Sequence, residues 1–312
     1  MENESHWKMN QLDALSSLAI GGDQEAVCYL CLDGGDDDAG QPLRRDCACR
    51  GTDAGFVHLS CLTNYAASKS KQASEMNEFR DPWHTCPNCN QYYQNEFAVD
   101  IAAKFVSFVR GKYLHDTKRQ VEALHVKLRA LNAMFERLQP VQKTEAGVTA
   151  NVLLSMIDRF KAEVSSLSIR YSQMKSEAYN VHGRIALNEG SEESARRAVT
   201  HLEKCLEVSE VIGDAEGVAT AKNNVAYAKS KYEGTGNNED FLNSSQEIYE
   251  LRVAEFGEEH ESTISSGRIY AINLRIANRG DEARELLTEL LATSKQVLGP
   301  HHNTTKKVES EL

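Results

Sequence analysis

Four closely spaced pairs of cysteine and histidine residues occupy the first third of the chain, and they constrain its fold more than any other feature. The pairs are Cys28 with Cys31, Cys47 with Cys49, His58 with Cys61, and Cys86 with Cys89. Three pairs enclose two residues, the second pair encloses one, and 15, 8 and 24 residues separate successive pairs. A two-residue spacer lets both side chains of a pair turn toward one ion, so the pattern predicts a metal-binding module.

Eight candidate ligands are the number that two structural zinc sites require, because each site takes four thiolate or imidazole ligands in a tetrahedron. We therefore expect two zinc ions as cofactors and no open position for a catalytic water. The ligands can be paired sequentially, with the first four on one ion, or in an interleaved way. Interleaving would give one ion to Cys28, Cys31, His58 and Cys61, and the other to Cys47, Cys49, Cys86 and Cys89.

We favour the interleaved arrangement because it ties the whole segment into one unit, and the segment has few large apolar residues to form a core of its own. His84, two residues before Cys86, is the alternative histidine ligand to His58. Cys205 lies alone, far from the other seven cysteines and among leucines, so it is predicted to be a core residue.

Composition and charge exclude several classes of function. The chain of 312 residues carries a net charge of -11, which argues against binding a nucleic acid through its phosphates. It has no apolar run long enough for a transmembrane helix, and its N-terminal MENESHWKMN does not resemble a secretory signal. We therefore expect the protein in the cytoplasm or the nucleus, where thiols stay reduced and clustered cysteines bind metal.

The stretch CACRGTDAGFVHLSCL at residues 47–62, together with CPNC at 86–89, resembles the RING-variant (RING-CH) zinc finger. The resemblance covers about residues 22–97. It implies a small cross-brace finger with two zinc ions and the activity of a ubiquitin-protein ligase. Such a ligase recruits a ubiquitin-charged conjugating enzyme and positions it while a substrate lysine attacks the thioester. No side chain of the finger is then catalytic, since positioning alone lowers the barrier.

The same resemblance implies a docking surface for the conjugating enzyme, formed by Tyr29, Leu30, Tyr65 and Pro87. Two positions depart from the family pattern. Tyr65 stands where the family usually has tryptophan, and Asn90 follows the last ligand, where many active ligases have arginine or lysine. The alternative function is therefore a non-catalytic zinc-finger scaffold, or a reader like the PHD finger, whose ligand order is the same but whose second pair is usually wider.

Helical periodicity dominates the chain after Phe97. Apolar residues recur every three or four positions between Val121 and Leu138, and again between Leu153 and Met174. Each stripe predicts an amphipathic helix, packed in a helical hairpin or alternatively in a dimeric coiled coil. Residues 98–175 are therefore predicted to be a helical linker or a set of divergent repeats.

A sequence repeat follows, because NVHG begins at Asn180, NVAY at Asn224 and RIYA at Arg268, a step of 44 residues each time. A period of this length predicts stacked helix pairs. FGEEHEST and LGPHHNTT make residues 176–312 resemble tetratricopeptide (TPR) repeats of the kinesin-light-chain type. That resemblance implies a groove that binds a protein substrate or a peptide.

Together these patterns predict a mainly α protein in which a small two-zinc RING-type finger precedes an α-helical solenoid of TPR-like helix pairs. The expected segments are an N-terminal stretch at 1–21, the finger at 22–97, the helical linker at 98–175 and the repeats at 176–312. The expected partners are a ubiquitin-conjugating enzyme and a protein substrate, with no nucleic acid and no membrane span.

Overall fold

The computed structural model describes residues 26–45, 55–90, 92–163, 169–233, 238–298, 300 and 303–312. Helices dominate these residues, and extended structure among them is limited to two isolated bridges, Arg44 with Val57 and Thr85 with Tyr92. The mainly α class is therefore confirmed. The chain divides into two compact units, residues 1–165 and 166–312. Among the described residues, no helix combines the length and the apolar character needed to cross a membrane.

The described part of the first unit contains five α-helices. They are α1 (Leu59–Gln72), α2 (Met76–Arg80), α3 (Asn95–Lys112), α4 (Thr117–Ala133) and α5 (Pro140–Glu163), with short 3-10 turns at Asp81–Trp83 and Phe135–Arg137. The helix α1 packs against α2 and α3, α3 packs against α4, and α4 packs against α5. Pro140 at the first position of α5 suits its start, since proline has no N–H to leave unpaired there.

One aromatic core joins the cysteine-rich segment to the helices that follow it. The ring of Trp83 stacks on Phe105 of α3 with centroids 5.0 Å apart, and Phe79 of α2 lies 5.6 Å from the same ring. Phe108 and Tyr113 extend the cluster, and Trp83 and Phe105 are fully buried. Small metal domains bury little apolar surface by themselves, so this shared core supplies burial that the finger lacks.

The described part of the second unit forms a solenoid of three consecutive helix pairs followed by a short helix. The helices are α6 (Ile169–Glu189), α7 (Glu192–Ile212), α8 (Ala215–Glu233), α9 (Asn238–Phe256), α10 (Glu261–Ile276), α11 (Gly280–Val297) and α12 (Asn303–Glu309). Each helix packs against the next along the chain. The predicted architecture of TPR-like helix pairs is thereby confirmed.

The 44-residue period is visible in the turns and in one hydrogen bond. Gly213, between α7 and α8, and Gly257, between α9 and α10, both adopt a left-handed φ, of 71° and 82°. Glycine accepts that conformation without strain, which explains why it recurs at equivalent turns. The side chain of Asn224 donates to the side-chain oxygen of Asn180 at 3.1 Å, so equivalent residues of successive first helices contact each other.

Close helix packing in the second unit depends on small side chains. Gly183 of α6 faces Leu202 of α7 so closely that an added Cβ atom would lie 2.6 Å from the leucine side chain. Cys205 of α7 is buried, and its Sγ lies 3.1 Å from the hydroxyl of Ser176. Burial raises the pKa of this thiol, as expected for a core cysteine and not for a reactive thiolate.

Candidate metal centre

The structure brings four of the eight predicted ligands together. The Sγ atoms of Cys28, Cys31 and Cys61 and a ring nitrogen of His58 all lie within 4.8 Å of one another. Nδ1 of His58 is 3.4 Å from Sγ of Cys31 and 3.7 Å from Sγ of Cys61. Ligand atoms of a tetrahedral zinc site with bonds of about 2.0 to 2.3 Å lie about 3.6 Å apart. The spacing of this donor set therefore fits zinc.

Backbone hydrogen bonds place the first two cysteines beside the histidine. The N–H of Leu32 donates to the carbonyl of Cys28 at 2.7 Å, which closes the loop between Cys28 and Cys31. The N–H of Tyr29 donates to the carbonyl of Phe56 at 3.0 Å, and this joins the loop to the segment that leads into α1. His58 is the residue before α1 and Cys61 lies in its first turn, so both side chains face the loop.

The carbonyl of Gly35 determines which nitrogen of His58 is available to a metal. Nε2 of His58 lies 2.7 Å from this carbonyl oxygen, which can only accept a hydrogen bond, so Nε2 carries the proton. The lone pair of Nδ1 is left pointing at the thiols. A hydrogen bond of this kind is typical of histidines that bind zinc, because it fixes both the tautomer and the ring orientation.

Gly35 belongs to the acidic stretch GGDDDAG, which has no metal-ligand spacing in the sequence. Asp37 stabilises this loop by accepting hydrogen bonds from the N–H groups of Ala39 at 3.0 Å and Gln41 at 2.9 Å. Sequence reasoning missed the contact with His58 because the group involved is a backbone carbonyl, which leaves no signature in the residue type.

The protonation of the cluster shows what a cation would change. Burial raises the pKa of Cys28, but hydrogen bonds from the backbone of His58, Cys31 and Leu30 outweigh it and bring the pKa down to about 7. Burial and the neighbouring sulfurs of Cys31 and Cys28 raise the pKa of Cys61 to about 12. Without a cation the cluster therefore resists carrying several thiolates at once. A divalent metal would compensate their charge.

The loop between Cys86 and Cys89 repeats the backbone geometry of the first loop. The N–H of Asn90 donates to the carbonyl of Cys86 at 2.9 Å, as the N–H of Leu32 does to the carbonyl of Cys28. Both residues that follow the second cysteine have a left-handed φ, 65° at Leu32 and 56° at Asn90. Cys86 is fully buried.

The rest of the predicted second site is not described. Cys47 and Cys49 lie outside the described residues, so the pairing of Cys86 and Cys89 with them stays a prediction. The repeated loop geometry supports a second site.

His84, the alternative ligand, has hydrogen-bond partners at both ring nitrogens. Its Nε2 accepts from Nε of Arg80 at 3.0 Å, and its Nδ1 lies 2.7 Å from the hydroxyl of Thr85. Burial, and then the charge of Arg80, lower the pKa of His84 to about 4. This side chain is therefore a partly buried, neutral link between Arg80 and Thr85 and lies outside the four-ligand cluster.

A cavity of about 410 Å³ lies beside the second loop and includes part of the predicted docking surface. Tyr65 of α1 and Pro87 of the loop line it, and so does Asn90. The ammonium group of Lys69 lies 5.7 Å from the centre of the Tyr65 ring on the same wall. The structure therefore brings Tyr65 and Pro87 together in one concave surface.

The other two predicted docking residues, Tyr29 and Leu30, do not line this cavity. Both are partly buried in the first loop. A large exposed apolar side chain in that loop belongs to Leu32, which is 75% exposed and which sequence reasoning missed. Its exposure depends on the left-handed turn after Cys31, and leucine is not a residue that signals such a turn.

Comparison with models of known protein families finds one match in this part of the chain. Residues 28–89 match the RING-variant domain. The match confirms the resemblance drawn from the ligand spacing. No curated protein matches the chain at a significant level.

Solved structures with low sequence identity are similar to large parts of the chain. BtubC (BKLC) from P. vanneervenii shares 18% identity, covers 69% of this chain and 87% of its own, and has a TM-score of 0.48. Nearly identical TPR-like repeats of a kinesin light chain from Podosopora anserina share 15% identity, cover 76% of this chain and 95% of their own, and have a TM-score of 0.43.

Proposed function

We propose that the protein is a ubiquitin-protein ligase whose RING-variant domain binds two zinc ions. The observation that carries this proposal is the cluster of four ligand atoms inside a segment that matches the RING-variant domain, a domain typical of ubiquitin ligases. The ion of the first site would be held by Cys28, Cys31, His58 and Cys61. The ion of the second site would be held by Cys47, Cys49, Cys86 and Cys89.

In this proposal the zinc ions hold the domain together and the domain supplies position. The conjugating enzyme would dock on Tyr65 and Pro87 beside the cavity and on Tyr29 and Leu30 of the first loop. A substrate lysine then attacks the carbonyl of the ubiquitin thioester, the isopeptide bond forms, and the thiol of the conjugating enzyme leaves. Restricting the thioester to reactive orientations lowers the barrier, by an amount that reaches about 7 to 11 kcal/mol in well-oriented intramolecular reactions.

The helix pairs α6 to α11 would recruit the protein substrate or a peptide from it. Stacked helix pairs form an extended concave surface suited to this task. We also propose that the chain is divided into an N-terminal stretch at 1–21, the finger at 22–97, the helical linker at 98–175 and the repeats at 176–312. The proposed location is the cytoplasm or the nucleus.

The test is discharge of ubiquitin from a panel of charged conjugating enzymes onto free lysine. We expect the full chain to accelerate discharge with at least one enzyme, and Cys28→Ser and Cys86→Ser to abolish the acceleration. Cys205→Ser is the matched control, because it makes the same exchange at a buried cysteine outside the RING-variant domain. Zinc content should be about two ions per chain in the control and lower in the two site variants.

A non-catalytic scaffold, or a PHD-like reader, is the second candidate. Asn90 favours it, because asparagine donates hydrogen bonds but lacks the charge that bridges the conjugating enzyme and ubiquitin in many active ligases. A chain that holds about two zinc ions yet accelerates discharge from no member of the panel would support the scaffold and refute the ligase.

A further inference from the structure

The loop formed by residues 86–90 is connected on both sides to α4, a helix outside the RING-variant domain. The first connection begins at Glu122 of α4, whose side chain is only 1% exposed. Its Oε2 lies 3.6 Å from Nη1 of Arg80, the last residue of α2. A carboxylate this deeply buried needs a cationic partner, so the position of Arg80 depends on the position of α4.

Arg80 also contacts the segment that precedes the loop 86–90. Its Nε donates to Nε2 of His84 at 3.0 Å, and its Nη2 donates to side-chain oxygens of Asn77 and Asp81 at 3.1 Å each. His84 stands two residues before Cys86. A planar guanidinium holds several acceptors in fixed directions, which lysine in its place would not do. The path from Glu122 through Arg80 to His84 therefore orients the start of the loop.

The second connection holds the segment that leaves the loop. The N–H of Tyr93 donates to the carbonyl of His84 at 2.9 Å, and Thr85 forms a bridge with Tyr92, so the two flanks are paired. The ring of Tyr92 lies edge-on to His84 with centroids 5.2 Å apart. The guanidinium of Arg129, on α4 two turns after Glu122, lies 5.6 Å from the centre of the Tyr92 ring.

The first loop and its neighbours are joined to a different helix. Arg44, which forms a bridge with Val57 next to His58, contacts Asp100 of α3 at 2.5 Å and lies over the ring of Phe97. Contacts of Trp83 with Phe105 and of Tyr93 with Phe97 brace the second loop from α3 as well. The contacts of Glu122 and Arg129 on α4 lie beside the second loop, so we expect substitutions at these two residues to affect it more than the first loop.

We propose that α4 positions the loop 86–90, with Glu122 and Arg129 as positioning residues. Because Pro87 belongs to the proposed docking surface and Asn90 lines the cavity beside it, the consequence for ubiquitin transfer rests on the proposed function. The positioning itself does not. In this proposal α4 contributes to the function of the RING-variant domain although it lies outside residues 28–89. It determines the orientation of the second loop, which carries Cys86, Cys89 and Pro87.

Hydrogen exchange of the full zinc-loaded chain tests this proposal. The variants are Glu122→Gln and Arg129→Ala, with Glu96→Gln as the matched control, since it removes the same charge from an exposed position on α3. We expect the amides of Asn90 and Tyr93 to exchange about two- to fivefold faster in Arg129→Ala, the size of an exposed cation–π contact, and at least as much faster in Glu122→Gln, which disturbs a buried ion pair. The amide of Leu32, which makes the equivalent hydrogen bond in the first loop, should be unchanged.

Equal acceleration at Leu32 and Asn90 would mean general destabilisation and would overturn the proposal, as would unchanged exchange at Asn90 in both variants. If Glu122→Gln does not fold, Arg129→Ala decides, because Arg129 is exposed and its loss leaves no buried charge. The exchange readout requires neither ubiquitin nor a conjugating enzyme. If no conjugating enzyme is discharged but the amides of Asn90 and Tyr93 exchange faster while that of Leu32 does not, the ligase proposal is refuted and the positioning role of α4 is supported.

Discussion

Ser70 of α1 is a small side chain on which the packing of the RING-variant domain depends. It is buried, its hydroxyl oxygen accepts from the indole N–H of Trp83 at 2.7 Å, and its O–H donates to the carbonyl of Phe79 at 2.8 Å. Trp83 is fully buried against Phe105. Ser70→Ala leaves the indole N–H without this acceptor in a site with no exposure to water.

The magnitude follows from the two hydrogen bonds. A buried polar group deprived of its partner costs about 1 to 3 kcal/mol. Losing the acceptor of Trp83 and the donor to Phe79 together should lower the free energy of unfolding of the first unit by about 3 kcal/mol. Ser107→Ala is the matched control, because the hydroxyl of Ser107 is exposed on α3 and bonds only to its own helix at Ala103. That exchange should be neutral or slightly stabilising.

Urea unfolding followed by Trp83 fluorescence measures the effect. The chain has two tryptophans, so Trp7→Phe as a common background leaves Trp83 as the reporter. With a slope of about 2 kcal/mol/M for a domain of this size, the midpoint should fall by about 1.5 M in Ser70→Ala. A midpoint within about 0.3 M of that of the Ser107→Ala control, at equal slope, would refute the reasoning.

Three further predictions concern the helical unit and the first loop. Gly183→Ala should destabilise the second unit by about 1 to 3 kcal/mol in thermal unfolding, because the new Cβ lies 2.6 Å from Leu202, whereas Gly111→Ala meets no atom within 4 Å and should not destabilise. Burial and then His201 lower the pKa of His182 from 6.5 to about 4, so the folded unit keeps it neutral where the unfolded chain protonates it. Stability should therefore fall by about 1 to 2 kcal/mol, after discounting for partial exposure, as the pH drops from 6.5 to 4, and His182→Phe should flatten this dependence. Leu32→Gly should leave stability unchanged or raise it by about 0.5 kcal/mol, because glycine relieves the left-handed φ; a loss above about 1 kcal/mol would contradict this.

The ligand order in the sequence left a sequential and an interleaved pairing open, and the structure brings together the four ligands that the interleaved pairing assigns to the first site. Cys28 and Cys31 are separated from His58 and Cys61 by another cysteine pair. The interleaved pairing was favoured because it ties a segment with few large apolar residues into one unit. The helical repeat could be predicted from the sequence alone, since a step of 44 residues aligns Asn180 with Asn224, and the structure shows these two residues in contact. Both predictions depend on residue types and on the spacing between them, which can be read along the chain.

The contacts that hold the site in place were not accessible in the same way. The carbonyl of Gly35 belongs to the backbone, and any residue type supplies one. Arg80 and Glu122 pair across 41 intervening residues, and nothing in either local sequence distinguishes them from solvated charges. Such pairs depend on how α2 and α4 pack, and periodicity predicts the helices without predicting which faces meet.

Asn90 is the residue on which the ligase and scaffold hypotheses differ most, and its backbone bears on both. Its φ of 56° is a conformation that asparagine adopts more readily than arginine, by about 1 kcal/mol. Leu32, at the equivalent place in the first loop, has a left-handed φ without any gain in local hydrogen bonding from its side chain. The left-handed backbone of the loop therefore constrains the residue type at position 90, in addition to any contact with ubiquitin. The absence of a positive charge there is for this reason weaker evidence against ubiquitin transfer than the sequence alone indicates. Asn90→Arg would add a charge beside the cavity and strain the loop at the same time. Only its comparison with Asn90→Gly, which relaxes the loop and adds no charge, separates the two effects.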